Sequence, residues 1–221
     1  MRMLAVFALA AAFASTQISN DKKAAEEPSP YLSAEGYEVY ADLLPTDWTW
    51  TGADLLVIQK ETQRTESAAC APMKGKESSG PWAEALADYD EQNASAHILS
   101  AIIPIGKNYV LKSADEIKAA FKTPANPPVP KAPNPKWGAG SGWEGFFAAF
   151  PQATGYIILS APGFSQDGSK AVVYMGHHCG NLCGGGRIYF LGKEWQNWKV
   201  GRWRKRRPAR DDVLGLVCPS T

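Results

Sequence analysis

The chain has 221 residues, of which 45% are apolar, and its formal net charge at pH 7 is +1. This near-neutral balance gives no overall reason to expect nucleic acid or a charged membrane surface as a partner. The length suits one well-packed domain, and the apolar content with eight tryptophans favours a real hydrophobic core.

The N-terminus has the pattern of a secretory signal peptide. Arg2 supplies a positive start, the run Met3–Ala14 is apolar, and Ala12-Phe13-Ala14 has the small-x-small form of a cleavage site. The run is shorter than the roughly 20 apolar residues that a membrane span needs. We therefore predict that residues 1–14 are removed after export, and that the mature protein is periplasmic or extracellular. Residues 15–34 are polar and predict a disordered leader.

A single α+β domain is predicted over residues 35–200. In its first half, three segments have patterns typical of extended chain: Asp54–Thr62, His97–Ile105 and Tyr109–Leu111. Tyr37–Leu44 fits a short helix or a strand, and Cys70–Pro81 has the composition of a loop.

The first clear helix is predicted at Trp82–Gln92. Trp82, Leu86 and Tyr89 form an apolar stripe at helical spacing. Glu84 and Asp88 lie one turn apart on another face. Paired carboxylates can serve general acid–base chemistry, but a charged face opposite an apolar stripe is more often simply solvated. We interpret these two residues in that second way.

The middle of the chain combines two short helices with a proline-rich insert. Ser113 and Glu116 have capping-box spacing, which predicts a helix over Ala114–Phe121. Residues 123–142 contain six prolines followed by three glycines, which predicts a semi-rigid segment and then a hinge. Trp143–Phe150 predicts a short aromatic helix.

The C-terminal half of the domain predicts an antiparallel β-meander, with two or three short helices packed on it. Four segments have strand patterns: Tyr156–Ser160, Lys170–Met175, Arg187–Leu191 and Trp195–Val200. Asp167-Gly168 between the first two carries the two-residue hairpin signal. A loop over residues 177–186 is predicted between the second and third strands.

That loop reads His-His-Cys-Gly-Asn-Leu-Cys-Gly-Gly-Gly and holds two of the four cysteines and two of the three histidines. In an oxidising compartment paired cysteines tend to form disulfides, and cysteines four apart can bridge in a tight loop. We predict a Cys179–Cys183 bridge, which leaves Cys70 to pair with Cys218. Four cysteines allow three pairings, and sequence alone does not select one.

The alternative for the same loop is a metal site or a reactive thiol. His177, His178, Cys179 and Cys183 match the ligand types of zinc or copper. Adjacent histidines point to opposite sides of an extended chain, which is poor geometry for one ion. Cys179 could also pair with His178 or His97 as a nucleophile, but only as a free thiol. No cofactor is expected under the disulfide interpretation.

No catalytic motif is present in the chain. It lacks a Gly-x-Ser-x-Gly elbow, a His-Glu-x-x-His helix and a phosphate-binding loop, so we expect a protein that is not an enzyme. Residues 201–221 form a basic tail whose cations include Arg202, Arg204, Lys205, Arg206 and Arg207, with Trp203 among them. Such a run can bind anionic polymers, although a solvated tail is more common. The sequence indicates no specific partner.

Several motifs of the C-terminal half resemble, in order and spacing, a family of uncharacterised exported bacterial proteins. They are Gly163-Phe164-Ser165, Ala171-Val172-Val173-Tyr174, His178-Cys179-Gly180-Asn181-Leu182-Cys183-Gly184 with the two glycines after it, Phe190-Leu191, Lys193 and Trp198. The resemblance implies export and an α+β fold, and it implies no activity. The first hypothesis is therefore a non-enzymatic envelope or secreted domain with a disulfide-closed Cys/His/Gly loop. The second is a metal-binding or thiol-reactive protein.

Overall fold

The computed structural model describes residues 32–46, 53–64, 80–100, 103–124, 142–180 and 183–201. The predicted signal peptide and most of the leader lie outside these ranges. So do most of the proline-rich insert, the basic tail after Gly201, and the cysteines Cys70 and Cys218. The division into one domain over residues 35–200 stays a prediction.

Seven strands of the described residues form one mixed sheet: β1 (Leu55–Gln59), β2 (Tyr109–Lys112), β3 (Ala153–Leu159), β4 (Gly163–Phe164), β5 (Lys170–Gly180), β6 (Cys183–Glu194) and β7 (Asn197–Val200). Their order in the sheet is β2-β1-β3-β5-β6-β7, and β4 lies outside this order and pairs with β5. β1 is parallel to β2 and β3, and every pair from β3 to β7 is antiparallel. The predicted α+β class with a C-terminal antiparallel meander is confirmed.

The described residues also contain four α-helices, where the sequence predicted two or three. They are α1 (Ala34–Leu43), α2 (Ala83–Gln92), α3 (Ala114–Ala120) and α4 (Trp143–Ala149), and a 3₁₀ turn, Leu44–Thr46, follows α1. Tyr37–Leu44 is thus mainly helical, and the predicted capping box of Ser113 and Glu116 is present. None of these helices is long and apolar enough to cross a membrane.

One face of the sheet, the α1 face, carries the largest apolar cluster. Alternate residues of each strand point to this face, and they bury themselves against the first helix. Members from the sheet include Ile58, Ile157, Val173, Leu191 and Trp198. From α1 come buried side chains such as those of Val39 and Leu43. β7 lies beneath α1, and the Trp198 amide donates a hydrogen bond to the carboxylate of Asp42 on that helix.

The opposite face of the sheet carries two separate clusters. Helices α3 and α4 cover β1 and β3 with an aromatic cluster that contains Trp143, Phe146 and Phe147. Helix α2 covers β5 and β6, where Tyr89 packs on Val172, Tyr174 and Phe190. The helix lies very close to β4 at Gly163, where a Cβ would overlap the Tyr89 backbone. The absence of a side chain on Gly163 allows this close approach.

One predicted boundary is wrong. Residues 177–186 were expected to form a loop, but β5 continues to Gly180 and β6 begins at Cys183. Glycine is unfavourable in strands by propensity, and the cross-strand ladder nevertheless extends through it. The expected extended segment His97–Ile105 forms a single bridge in its described part, between Glu61 and Ile98.

Candidate functional site

The predicted Cys/His/Gly loop is the end of a long hairpin, which we call the hairpin tip: residues 176–180 of β5 and 183–186 of β6. The pairs Gly176–Gly186, His177–Gly185 and His178–Gly184 lie opposite each other across the two strands. β3 borders the tip only as far as the pair Tyr156–His178. The chemically distinctive residues are therefore held at fixed register positions.

A disulfide joins Cys179 and Cys183 and closes the hairpin tip. Their Cα atoms lie 5.0 Å apart, within the normal span of a disulfide. The ladder shifts register between His178 and Gly180, so that Gly180 pairs with Cys183. Residues 181 and 182 lie outside the described residues, as do Cys70 and Cys218, so the second pairing stays a prediction.

The two histidines of the tip lie on opposite faces of β5. His177 stands opposite Ile157 of β3, and His178 stands opposite Tyr156. The ring of His178 stacks on that of Tyr156, with centroids 4.9 Å apart and planes 11° from parallel. Burial lowers the pKa of His178 below its ordinary value of 6.5, because a low-dielectric site disfavours the charged ring.

A tyrosine ring covers the glycines of the tip on the same face as His178. Tyr174 lies one strand repeat from Gly176, and its Oη would be 2.8 Å from a Cβ on that residue. A Cβ on Gly186 would overlap the same ring. An aromatic side chain lying over strand glycines buries backbone that would otherwise face water. Gly176 and Gly186 thus make room for Tyr174.

Gly155 of β3 is a third position where the tip needs glycine. Its φ is +147°, a conformation that other residues rarely adopt. A Cβ there would overlap the carbonyl oxygen of His178 and come 2.9 Å from the Cα of Cys179. The β3 backbone therefore packs directly against the disulfide-bearing end of β5.

The alternative ligand set is not assembled around one point. The sulfur atoms of Cys179 and Cys183 are bonded to each other, and His177 and His178 face opposite ways. Within the described ranges, no three His, Cys, Asp or Glu residues are arranged to hold a metal ion. Cys179 in this state has no thiolate for nucleophilic attack.

His97 lies away from the tip, at the other end of β3. The His97 carbonyl accepts a hydrogen bond from the Thr62 amide, and the His97 amide donates one to the Thr62 hydroxyl. The amide of Gln63, which follows Thr62, donates to the carbonyl of Leu159 at the end of β3. The Nε2 atom of His97 lies 2.8 Å from the carbonyl oxygen of Gln92. The structure therefore does not bring His97 to Cys179.

The carboxylates of α2 are more than a solvated face. Asp88 accepts a hydrogen bond of 2.6 Å from the Phe164 amide, and Glu84 accepts one of 3.1 Å from the Gln166 amide. The first bond attaches β4 to the helix, and the second attaches the turn that follows β4. Sequence spacing places the two carboxylates on one face of the helix, but it does not show that a strand 76 residues after Asp88 would lie on that face.

A buried polar network that sequence reasoning missed joins α1, α2 and the end of β3. Asn93 is fully buried, donates to the carbonyls of Tyr89 and Ala161, and accepts from the Ala161 amide. Tyr40 donates to the Ser160 carbonyl at 2.7 Å. Burial raises the pKa of Tyr40 and raises that of Tyr89 to about 12, so both stay neutral and act as structural groups.

The comparisons with known proteins give no independent guide to this site. The chain matches no protein-family model, no curated protein and no solved structure. The resemblance to exported bacterial proteins therefore stays a prediction, which depends on the motifs named above.

Proposed function

We propose that this chain is an exported envelope or secreted domain without catalytic activity, and that its hairpin tip is a rigid, disulfide-closed structural or presentation element. The observation that carries the proposal is the Cys179–Cys183 bridge across the end of β5 and β6. Disulfides persist in oxidising compartments and are rare in the cytosol. The bridge therefore supports a location outside the cytosol.

Three further contacts support a rigid tip. Tyr156 stacks on His178, Tyr174 lies over Gly186, and Gly155 packs against the backbone of the tip. Each contact fixes backbone or ring positions close to the disulfide. A tip that presents fixed side chains to a partner benefits from such preorganisation, because binding then costs less ordering entropy.

Export itself belongs to the proposal. It is supported by the signal-peptide pattern of residues 1–14 and by the resemblance to exported bacterial proteins. Cell fractionation of the full-length chain, followed by sequencing of its N-terminus, tests this part. We expect the protein outside the cytosol with Ser15 as its first residue. Full-length protein in the cytosol would contradict it.

The tip is tested by alkylating the purified protein with and without prior reduction, and by native mass spectrometry for bound metal. A Cys70→Ser/Cys218→Ser variant serves as the matched control, since it leaves Cys179 and Cys183 as the only cysteines. We expect no alkylation of these two before reduction and complete alkylation afterwards.

The opposite result supports the second hypothesis. Free thiols at Cys179 and Cys183 together with bound zinc or copper would make the tip a metal site, and the structural interpretation would then be abandoned. Free thiols without metal would instead point to a reactive cysteine, whose activated form is the thiolate.

A further inference from the structure

Three aromatic rings stand in a row on the face of the sheet opposite α1. The ring of Trp143 on α4 lies 6.0 Å from that of Tyr156 on β3, with planes 20° apart. Tyr156 in turn stacks on His178 of β5. Aromatic rings at these separations attract each other. The row therefore begins at α4, crosses β3 and reaches the hairpin tip.

The row points toward a glycine. His178 has Tyr156 as its partner on β3 and Gly184 as its partner on β6. Because the ring of His178 stacks on Tyr156 with one face, its other face looks toward Gly184. That glycine is exposed and has no side chain with which to continue the row. The next ring in such a row would lie over Gly184.

Tyr174 borders the same space from β5. Its side chain is buried, with 6% of its surface exposed, and its hydroxyl lies above Gly176 and Gly186. Gly186 and Gly184 are two residues apart on β6, which is about 6.8 Å along a strand. The Tyr174 hydroxyl can therefore reach the edge of a ring that lies over Gly184.

The polar groups at this space have no hydrogen-bond partner among the described residues. Burial raises the pKa of Tyr174 and lowers that of His178, and no hydrogen bond contributes to either shift. Most buried polar groups in proteins do have a partner. The neutral imidazole offers one donor and one acceptor, and the hydroxyl offers both roles. A ligand at this space can supply the missing partners.

We propose that the outer face of His178 is a binding site for a small, neutral, planar heteroaromatic molecule. Its ring lies over Gly184 as the fourth member of the row, and a nitrogen or oxygen on its edge hydrogen-bonds to Tyr174. One ring face, one hydroxyl and a glycine floor suit a single ring system. None of these residues is charged at neutral pH, and a charged ligand would lose water without gaining a counter-charge.

This site goes beyond the proposed function, but it rests on one part of it, the closed disulfide. The bridge holds Cys183, the residue before Gly184, against Cys179, the residue after His178. A site that is fixed in advance binds a small ring with less loss of entropy. The test therefore uses oxidised protein, in which alkylation has first shown that Cys179 and Cys183 are bridged.

The probes are adenine and indole, which are neutral and planar, and cyclohexanol, which is neutral but not planar. Each is titrated into the full-length protein while the amide NMR signals of Gly184 and Gly186 are followed. We expect both planar probes to bind with a dissociation constant of about 1 mM or lower. Cyclohexanol should bind at least about tenfold more weakly, because it cannot stack.

Two pairs of variants test the stack itself. Gly184→Ala places a Cβ where the ring lies and should weaken binding about tenfold or more. Gly185→Ala, where nothing lies within 4 Å of the added Cβ, points to the other face and should leave binding unchanged. His178→Ala should weaken binding about fivefold or more, and His178→Phe should restore most of it. Tyr174→Phe should weaken adenine binding about threefold or more.

Three outcomes would overturn the proposal. They are no binding of either planar probe at about 10 mM, equal affinity for cyclohexanol, and equal affinities of His178→Ala and His178→Phe. The His178 pair decides the matter even if Gly184→Ala does not fold. Failed binding in protein with a closed disulfide overturns this site alone, whereas free thiols at Cys179 and Cys183 contradict the proposed function.

Discussion

The two halves of the β5–β6 hairpin belong to the same pair of strands, but different contacts stabilise them. In the covered half, residues 170–175 and 187–192, helices α1 and α2 pack on the two faces. Ala171 and Val173 point to one helix, and Val172 and Tyr174 point to the other. The hairpin tip beyond them consists of Gly, His and Cys residues.

A disulfide and two aromatic contacts stabilise the tip. The Cys179–Cys183 disulfide, the stack of Tyr156 on His178 and the ring of Tyr174 over Gly186 act over a few residues each. Burial stabilises the covered half in proportion to the apolar area removed from water. We therefore expect changes in the covered half to affect the whole fold, and changes in the tip to cause mainly local opening.

The largest effect is expected from Leu191→Ala in the covered half. Leu191 is fully buried on the α1 face, so the substitution leaves a cavity. We expect the free energy of unfolding, measured by urea denaturation, to fall by about 2–5 kcal/mol. Gly192→Ala is the control, since nothing lies within 4 Å of the added Cβ. If Leu191→Ala lowers the free energy of unfolding by less than Gly192→Ala does, the apolar cluster on the α1 face is not the main source of stability in the covered half.

Gly186→Ala tests whether the ring of Tyr174 determines the glycine positions of the tip. The added Cβ would overlap that ring, and overpacking of this kind costs about 1–3 kcal/mol. Gly185→Ala changes the neighbouring residue, where no atom lies within 4 Å, and should be nearly neutral. Equal losses of unfolding free energy in the two variants would show that strand glycine itself, rather than Tyr174, sets the cost.

The sequence could predict the elements that local patterns define. Local patterns within a few residues define the capping box of α3 and the apolar stripe of α2, and both are present. Asp167-Gly168 lies in the connection between β4 and β5, but the Gly168 amide donates to the Ser165 carbonyl, so the turn is not the predicted two-residue hairpin loop. The fold class follows from the same periodicities. The position of Cys179 and Cys183 four residues apart also indicated the bridge.

The remaining features depend on which strands become neighbours. The stack of Tyr156 on His178 requires β3 to lie beside β5 in one register, and periodicity does not fix a register between distant strands. Asn93 meets Ala161, 68 residues later, for the same reason. The tip was predicted as a loop because its glycines have low strand propensity, whereas pairing that begins in the covered half continues into the tip.

Cys179→Ser/Cys183→Ser tests the support of the tip directly. Opening a loop of this size should lower the free energy of unfolding by about 2 kcal/mol or less. Hydrogen exchange should increase at residues 177–186, while amides of the covered half change only with global stability. An increase that is uniform along the hairpin would show that the two halves open as one unit.

In the turn between β6 and β7, which follows the covered half, a substitution is expected to stabilise the fold. Trp195 has a φ of +62° and is 98% exposed, so it bears backbone strain without the benefit of burial. Trp195→Asn should raise the free energy of unfolding by about 1 kcal/mol, because asparagine tolerates this conformation better. Gln196→Asn in the same turn should have almost no effect. A loss of stability in Trp195→Asn would mean that the indole makes a stabilising contact.

The smallest effect is a pH dependence of the tip through His178. Burial lowers its pKa in the folded state, so below about pH 6.5 the unfolded chain takes up a proton first and the free energy of unfolding falls. The loss grows until the pH is below the folded pKa, and it is absent above about pH 7.

His178→Phe keeps a ring against Tyr156 but cannot titrate, so it should flatten stability curves measured between pH 7.5 and pH 5. His177→Phe leaves His178 in place and should keep the wild-type slope. If His178→Phe instead keeps the full slope and His177→Phe removes it, the pH-sensitive contact lies on the α1 face, and the stack with Tyr156 has no part in it.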